Sequence, residues 1–457
     1  MLVKKFQFGM EELFYLFRTA KKQIVFLHAP GGCGKTWLIK QFAQYASNRG
    51  LNVYCAATTG IAAVNLSQAG IKSCTLHSWA GIGIGTFSKD KLLARVKTNR
   101  DAMKKWLGTD ILVIDEVSML GASLYDKLDF IGRNLRNKDV AFGGLPMLLC
   151  GDLLQLAPVN DKWVFESIVW PTQDIEYVTL DTPKRYTDKD YVNFLLRIRQ
   201  GELSKEDKKF IKSRMVAYEK WKQENKGKDL VIKPTVIYST KISVEHENQL
   251  QLDKIDNQEY CYTATDTVVA GKITNHEYYE KLLDDHIPSK IKLKVGAQVM
   301  LKSNIDIMSG LANGSRGVVT NVLGDIITVK FLNNIEQDIT YYTWEYSDKY
   351  AVVMRRQIPL ILAWSLTCHK CQGLTLDFAV CDIGPSIFCK GQAYVSLSRV
   401  RSGQSLFISD FVPKSISACK KALKMAEYIE KNGISIDERE YTPLKETPET
   451  KGIKYYI

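Results

Sequence analysis

The sequence predicts an α/β protein with two doubly wound parallel sheets, on the strength of three observations. First, residues 23–28 are an apolar run with the length of one buried strand, followed by a glycine-rich turn and an amphipathic helix. Second, such runs recur with helical stretches between them, and polar residues gather where the runs end. Third, this pattern restarts near residue 180 of a chain of 457 residues. A chain of that length predicts two to four domains.

The first glycine-rich turn predicts a nucleoside triphosphate site. It ends in Gly34-Lys35-Thr36, and residues 37–46 continue with apolar positions at helical spacing. Backbone N–H groups and the helix N-terminus present positive potential to phosphates. Lys35 is expected to reach the β- and γ-phosphates, and the Thr36 hydroxyl is expected to bind Mg²⁺. A chance glycine-rich turn is the alternative, disfavoured because both the Lys-Thr pair and the strand–helix context are present. The predicted nucleotide-binding residues of this loop are Ala29, Pro30, Gly31, Gly32, Cys33, Gly34, Lys35 and Thr36.

One position departs from the phosphate-loop pattern. A glycine is expected six residues before the lysine, and this chain has Ala29. Alanine is the smallest substitute, and the glycines that follow keep the turn flexible. We therefore expect the loop to keep its shape.

Two later strand ends supply acidic and amide side chains. Residues 111–114 form a buried run that ends in Asp115-Glu116, and residues 147–150 form another that leads to Gln155. Asp115 can hold the Mg²⁺ shell, and Glu116 can take a proton from the attacking water. The neutral amide of Gln155 is placed to sense the γ-phosphate. Because parallel strands end at one edge of a sheet, these side chains are predicted to share one site.

Charge favours nucleic acid as the partner, and composition favours a soluble intracellular protein. Lys plus Arg number 62 against 50 Asp plus Glu, a formal net charge of +12. A solvated basic surface that aids solubility is an equally open interpretation. No apolar run approaches the roughly 18 residues that span a bilayer. Ten cysteines without framework spacing and an N-terminus without signal-peptide or clear mitochondrial features predict nucleus or cytoplasm, a host cell's if the chain is viral.

Two segments of the first unit have the composition of a nucleic-acid surface. A predicted strand over residues 52–57 runs into a threonine-glycine loop whose hydroxyls suit a phosphate backbone. Trp79 lies among hydrogen-bonding neighbours and is predicted to be a platform for an unstacked base, with a core position as the alternative. Residues 86–106 are polar and basic and are either an inserted element or a solvated helix. The nucleic-acid candidates here are Thr58, Thr59, His77, Ser78 and Trp79.

The second unit is predicted to hold an inserted β-rich segment. Helices are expected over residues 191–201, over 203–230 as an exposed pair, and over 416–431. A turn at Asn313-Gly314 and short strands over 294–301, 316–319, 326–330 and 339–342 predict a small barrel-like module. The strands assigned to the second parallel sheet are 234–239, 358–363, 378–381 and 406–409.

Ordered motifs along the chain resemble those of the PIF-type (petite integration frequency) DNA helicases, RecD-like members of superfamily one B. Residues 120–136, directly after Asp115-Glu-Val-Ser-Met119, are similar to the signature segment of that family. Further similar motifs follow in the expected order at residues 75–83, 151–158, 311–317, 358–375 and 391–400. The resemblance spans roughly residues 20 to 410. We therefore expect a compact helicase core like that of bacterial and viral members. The resemblance implies two RecA-like domains with ATP in the cleft between them and single-stranded DNA crossing both.

The resemblance also implies domain boundaries and an inserted SH3-like β-barrel. The implied domains are 1–179 for the first RecA-like domain, with a wedge insertion at about 84–106; 180–262 and 356–412 for the second; 263–355 for the inserted domain; and 413–457 for a C-terminal helix and tail.

The same resemblance assigns roles to residues of the second unit. Arg399 matches an arginine that reaches the γ-phosphate, and Arg185 matches a second one, although its usual Phe-Arg-Gln frame is Lys-Arg-Tyr here. Gln372 and Gly373 are implied to contact the nucleotide. Gln7 is a weak candidate for reading adenine. The implied DNA-facing residues of this unit are Thr367, His369 and Lys370.

The function implied is an ATP- and Mg²⁺-dependent 5′-to-3′ DNA helicase that unwinds duplexes in replication, repair or recombination. Its expected substrates are single-stranded, forked or tailed DNA, with G-quadruplexes and DNA–RNA hybrids as further possibilities, and it is expected to be monomeric and not membrane-bound. One alternative is a DNA-stimulated translocase that remodels hybrids or nucleoprotein without processive unwinding. The other is a P-loop kinase for a small molecule, which the second α/β unit and the two arginines disfavour.

Overall fold

The computed structural model describes residues 11–436, apart from the gaps 19–20, 61, 64–65, 67–70, 72, 84, 227–231, 272–276, 278, 281–282, 285–286, 304, 307–308, 310, 312–313 and 348–350. Its strands, in chain order, are β1 (Ile24–His28), β2 (Val53–Ala57), β3 (Ser73–Thr75), β4 (Ile111–Asp115), β5 (Met147–Gly151), β6 (Ile175–Thr179), β7 (Thr235–Tyr238), β8 (Glu259–Thr263), β9 (Thr265–Gly271), β10 (Lys290–Lys294), β11 (Gln298–Leu301), β12 (Arg316–Leu323), β13 (Ile326–Phe331), β14 (Glu336–Ile339), β15 (Tyr342–Ser347), β16 (Ala351–Gln357), β17 (Leu360–Leu362), β18 (Ser365–Thr367), β19 (Ala379–Ile383), β20 (Leu406–Phe411) and β21 (Ile434–Ser435). The α-helices used below are α1 (Lys35–Ser47), α2 (Leu76–Ala80), α3 (Lys89–Thr98), α4 (Arg100–Gly108), α5 (Ala122–Arg136), α6 (Lys189–Gln200), α7 (Lys205–Glu224), α8 (Lys241–Asp253), α9 (Cys368–Cys371), α10 (Gln392–Leu397) and α11 (Lys420–Asn432).

The first sheet is parallel, with the strand order β21-β6-β1-β5-β4-β2-β3. All five residues of each of β1, β4 and β5 are buried. A strand covered on both faces needs apolar residues throughout, which is why these three were legible as continuous runs. The predicted parallel α/β fold class is confirmed, and β1, β5 and β4 place the predicted site residues at one sheet edge.

The C-terminal helix belongs to this first sheet. Ala422, Ala426 and Ile429 of α11 recur at helical spacing and are buried in the core under the sheet. β21 then pairs with β6. The sequence analysis treated 413–457 as a separate helix and tail, and it missed this return because nothing local to a helix identifies its distant partner. Residues 437–457 lie outside the described residues.

The basic segment before β4 forms two packed helices. α3 and α4 bury Leu92, Val96, Ala102 and Trp106 in the same core. Most of their charged residues are exposed, whereas Arg95 is buried. The predicted wedge role is a separate matter, and it stays a prediction.

The second sheet is parallel, in the order β18-β7-β19-β20. One assigned strand was wrong: β17 pairs antiparallel with β11 in another sheet, and the second sheet resumes only at β18. A short apolar run does not reveal its partner, so residues 358–363 were placed in the wrong sheet. The exposed helical pair over 203–230 was also wrong, because α7 is one helix whose first turn is fixed by a capping box of Ser204 and Asp207.

An antiparallel sheet, β14-β13-β12-β11-β17, stands where the small β module was predicted. The predicted strand 339–342 was wrong, since β14 ends at Ile339 and β15 begins at Tyr342. β15 belongs to a second antiparallel sheet, β15-β16-β9, which the sequence analysis did not anticipate. Of the predicted turn, Asn313 lies outside the described residues, and Gly314 has φ 97°. The SH3-like character of the module stays a prediction. Among the residues that the structure covers, no helix is long and apolar enough to cross a membrane.

Candidate active site

A cavity of about 440 Å³ lies between residues of the two parallel sheets. It is lined by Gly31, Gly32, Gly34, Lys35, Thr36, Trp37, Ala62, Asp115, Glu116, Gln155, Lys184, Arg185, Gly373 and Arg399. The structure thus brings the phosphate loop, the acidic pair and both predicted arginines around one space. Trp37, Ala62 and Lys184 are lining residues that the sequence analysis did not single out.

The phosphate loop owes its shape to glycines in the left-handed region. Gly32 has φ 85° and Gly34 has φ 92°, a backbone geometry that side chains rarely adopt. Ala29 is absent from the positive-φ residues of the described chain and is fully buried, which explains why alanine is tolerated there. Cys33 is also fully buried, beneath the loop. Lys35 Nζ donates to the Ala29 carbonyl at 2.8 Å and to the Pro30 carbonyl at 3.1 Å, so its ammonium folds over the loop.

The acidic pair at the end of β4 is buried and strained. Asp115 Oδ1 accepts the Glu116 N–H at 2.8 Å, and Glu116 itself has φ 53°. Burial, then the neighbouring Glu116 charge, raises the pKa of Asp115 to about 7. The Thr58 hydroxyl donates to the Glu116 carbonyl at 2.8 Å and fixes the turn.

These residues fit a magnesium site. A carboxylate and a hydroxyl, those of Asp115 and Thr36, are the hard oxygen donors that Mg²⁺ prefers, and both line the cavity. The described residues contain no group of three or more His, Cys, Asp or Glu suited to a metal. The cation would therefore take its other ligands from phosphate and water.

Two glutamine side chains from different sheets reach the same region. Gln372 Nε2 donates to Glu116 Oε2 at 3.0 Å, and Gln155 Nε2 lies 3.4 Å from Asp152 Oδ2. In the described part of the chain, the amide oxygens of Gln155 and Gln372 are buried without a hydrogen-bond partner. Unsatisfied buried acceptors are uncommon, and these two amide oxygens can each still accept a hydrogen bond.

The two predicted arginines lie together at the positive end of the cavity. Arg185 Nη1 donates to the Ser398 carbonyl at 3.1 Å. Arg399 Nε donates to the Val395 carbonyl at 2.6 Å, and Arg399 Nη1 donates to the Cys371 carbonyl at 3.2 Å. Desolvation, then the Arg399 charge, lowers the pKa of Arg185. Neither guanidinium forms an ion pair with a carboxylate within the described ranges, an arrangement that suits a polyphosphate.

Sequence analysis missed a buried charge network beside this site. Arg199 Nη2 lies 3.0 Å from Asp152 Oδ1 and 3.2 Å from His28 Nε2. Although burial acts to raise it, the Arg199 charge and His28 hold the pKa of Asp152 below its usual range. The network joins α6 to the ends of β1 and β5, and so ties the second unit to the first. No sequence signal distinguishes Arg199 from the exposed basic residues of an amphipathic helix.

The DNA candidates include two turns of the same build, one on each parallel sheet. β3 ends at Thr75, whose hydroxyl accepts the Ser78 N–H at 3.3 Å as α2 begins. β18 ends at Thr367, whose hydroxyl accepts the Lys370 N–H at 3.2 Å as α9 begins. The sequences are Ser-x-Thr-x-His in both cases. Thr367 is itself buried, so its hydroxyl shapes the turn.

The histidine rings of these two turns are neutral polar groups. Burial lowers the pKa of both His77 and His369, so both rings are neutral near pH 7. Thr58 and Thr59 follow β2, and the Thr59 hydroxyl accepts the Ala62 N–H at 3.2 Å. Gln7 lies outside the described residues.

The proposed role of Trp79 is wrong. Its side chain is fully buried, and its ring lies 4.6 Å from that of Trp106, centroid to centroid. Trp79 follows Leu76 by three positions on α2, so both side chains share the helix face that packs on the core. The core position that the sequence left open is the correct one.

Comparison with known proteins places this geometry in context. Residues 11–209 match the family profile described as PIF1-like helicase, and residues 277–322 match the 2B domain of DNA helicase Pif1. The chain is 30% identical to an ATP-dependent DNA helicase PIF1 from Xenopus laevis, over 94% of this chain and 65% of that protein. It spans less than two thirds of the length of the vertebrate relatives it matches first, at 65%, 60% and 63%.

Solved structures are similar over nearly the whole chain. A crystal structure of Pif1 helicase from Candida albicans superposes with a TM-score of 0.77 at 29% identity, covering 93% of this chain and 98% of that one. Pif1 helicase from Bacteroides, in complex with ADP-AlF3 and single-stranded DNA, gives 0.66 at 27% identity, covering 92% and 96%.

Proposed function

The chain belongs to the PIF1-like helicase family, and on that premise we propose that it is an ATP-dependent helicase moving 5′ to 3′ along single-stranded DNA. The observation that carries the proposal is the cavity lined from both parallel sheets. One sheet supplies the phosphate loop and the acidic pair, and the other supplies Arg399 and Gly373. A site divided in this way can couple ATP to the relative position of two bodies.

We propose these roles in hydrolysis. Lys35 binds the β- and γ-phosphates, and Thr36 and Asp115 would hold Mg²⁺, which would neutralise charge on the phosphate oxygens. Glu116 accepts the proton of the attacking water. Gln155 senses the γ-phosphate, with its unpartnered amide oxygen available to that water. Arg185 and Arg399 stabilise the charge that develops on the transferred phosphoryl group.

The DNA path is proposed to run across the two Thr-capped turns. Each turn follows a β-strand of one parallel sheet. Single-stranded DNA that contacts both turns would therefore be held at two points, whose separation changes as the cleft opens or closes. Related structures support this substrate: Bacteroides Pif1 has been solved bound to single-stranded DNA, and another structure concerns Pif1 helicases at forked double-stranded DNA. Roles in replication, repair or recombination belong to the same proposal, as does an intracellular location, supported by the free cysteines of the described residues.

The domain assignment is likewise a proposal. The described strands support a first RecA-like domain within residues 1–179, completed by α11 and β21. They support a second whose sheet resumes at β18, with the antiparallel sheets as the inserted domain.

Turnover and strand separation measured together test the function. A helicase shows ATP turnover stimulated by single-stranded DNA and ATP-dependent separation of a tailed duplex. Stimulated turnover without separation would favour the translocase, and turnover indifferent to DNA would favour a small-molecule kinase.

A further inference from the structure

A tyrosine of the second unit reaches across the cleft to the phosphate loop. The Tyr394 hydroxyl accepts a hydrogen bond from the Gly31 N–H at 3.0 Å, between residues 363 positions apart. Tyr394 lies on α10, and its ring is buried at 3% exposure. The phosphate loop, which is proposed to bind a triphosphate, therefore contacts the Tyr394 side chain of the second unit.

This hydroxyl keeps a proton to donate. Burial raises the pKa of Tyr394 well above its usual value, so the phenol stays neutral. Within the described chain its hydrogen-bond partner is the Gly31 N–H, itself a donor. A phenol both donates and accepts, so the Tyr394 hydroxyl still has a proton to donate. Tyr394 itself does not line the cavity, and it adjoins the cavity through Gly31, which does. Tyr186 differs, because its hydroxyl donates to the Gly31 carbonyl at 3.2 Å.

The surroundings of Gly31 indicate what that acceptor is. A Cβ atom on Gly31 would lie 3.3 Å from the Tyr394 oxygen, 3.4 Å from Gln155 Nε2 and 3.9 Å from Arg399 Nη2. The Tyr394 hydroxyl and two groups proposed to act at the γ-phosphate thus each lie within 4 Å of one point beside Gly31. An amide, a guanidinium and a phenol near the same part of a phosphate loop form a set of donors for an anion.

We propose that Tyr394 is a further nucleotide-binding residue, which accepts the Gly31 N–H and donates its phenolic proton to the terminal phosphate of a bound nucleoside triphosphate. The inference rests on the proposed function of the cleft and deepens it. Because a diphosphate lacks that phosphate, Tyr394 distinguishes ATP from ADP. The contact also lets the second unit sense the γ-phosphate through α10, the helix that leads to Arg399.

Removal of one oxygen atom tests the proposal. Mg²⁺-dependent binding of the non-hydrolysable triphosphate AMP-PNP and of ADP is measured by calorimetry for the parent and Tyr394→Phe. Loss of a hydrogen bond to a charged group should weaken AMP-PNP binding about 10- to 100-fold. ADP binding should change by less than about threefold, because ADP lacks the terminal phosphate to which Tyr394 would donate. The loss of the partner of the Gly31 N–H affects both nucleotides alike.

A matched control separates this contact from a general loss of packing. Tyr191→Phe removes another buried hydroxyl, which donates to the Leu397 carbonyl. This variant should keep the parental ratio of AMP-PNP to ADP affinity. Tyr186→Phe, whose proton already serves Gly31, should weaken both nucleotides alike. An unchanged ratio in Tyr394→Phe would overturn the proposal while leaving the function of the parent intact; a parent that binds no triphosphate would overturn both.

Should Tyr394→Phe not fold, Gly31→Ala provides the second test. Its added methyl would crowd the Tyr394 oxygen at 3.3 Å and displace it. Because the same methyl lies 3.4 Å from Gln155 Nε2, Gly31→Ala is also made in a Gln155→Ala background, where we still expect a selective loss of AMP-PNP affinity relative to Gln155→Ala alone. Equal loss for both nucleotides would contradict the role of Tyr394.

Discussion

Gln372 Nε2 donates a hydrogen bond to Glu116 Oε2 at 3.0 Å, joining the second parallel sheet to the proposed catalytic base of the first. The backbone of Glu116 is fixed within its own unit by Asp115 and Thr58. Gln372 directly follows α9, the turn that carries Lys370. A shift of the turn proposed to face DNA would therefore move a group that contacts the proposed base.

Replacing this amide should slow hydrolysis without impairing ATP binding. Gln372→Ala leaves Glu116 without the donor that orients its carboxylate, so DNA-stimulated kcat should fall about tenfold or more, with little change in KM for ATP. Steady-state turnover with and without single-stranded DNA measures this. Gln404→Ala, at an exposed position, is the control. A kcat within about twofold of the parent's would show that Glu116 does not depend on Gln372.

Two substitutions in the phosphate site should separate binding from chemistry. Lys35→Ala removes the ammonium proposed to hold the phosphates, so ATP affinity should fall. Glu116→Gln keeps the shape of the side chain but cannot accept a proton, so turnover should drop about 10²- to 10⁴-fold while ATP and DNA still bind. Nucleotide titration and turnover assays measure both, with Lys40→Ala as the control on the same helix. Near-parental turnover in Glu116→Gln would place the base elsewhere.

Replacement of Trp79 should lower the stability of the fold. Truncating a fully buried tryptophan leaves a cavity beside Trp106, so Trp79→Ala should lower the free energy of unfolding by about 3–5 kcal/mol. DNA affinity per folded molecule should stay within about twofold of the parent's. Denaturant unfolding and single-strand titration give the two values, and Phe388→Ala, at an exposed aromatic, is the control. Unchanged stability with weakened DNA binding would restore the base platform.

The buried pair of Arg199 and Asp152 should make stability depend on pH once it is broken. In the parent the low pKa of Asp152 means that its stabilising contribution is present at neutral pH and is lost only in strong acid. Arg199→Met removes the cation and should cost about 3–5 kcal/mol. Burial would then raise the pKa of Asp152, so the deficit should grow as pH rises from about 4 to 7.

Unfolding at several pH values measures this dependence. Lys220→Met, which breaks an exposed pair with Glu224, should cost less than about 1 kcal/mol at every pH. A deficit in Arg199→Met that is small or independent of pH would mean that the network contributes little.

The sequence was most informative where chemistry is local. A phosphate loop consists of consecutive residues, so its motif can be recognised directly in the sequence. Strands buried on both faces, such as β1, can be recognised as continuous apolar runs. The sequence did not reveal which distant strands pair with each other. β17 pairs in an antiparallel sheet, and β21 pairs with β6 of the first sheet. The predicted role of Trp79 was wrong for a related reason, because the exposure of a side chain depends on tertiary packing and cannot be read from residue type. Tyr394 and Gln372 stood inside recognised motifs, yet their contacts across the cleft required coordinates.

The polarity of unwinding is the decisive measurement for the proposed helicase function. Equal duplexes with either a 5′ or a 3′ single-stranded tail are incubated with ATP, Mg²⁺ and excess protein, and strand separation is followed over time. We predict separation of the 5′-tailed duplex, little separation of the 3′-tailed one, and loss of both turnover and unwinding in Arg399→Ala, with tail binding retained. Separation of the 3′-tailed duplex alone, or unwinding by Arg399→Ala at the parental rate, would contradict it.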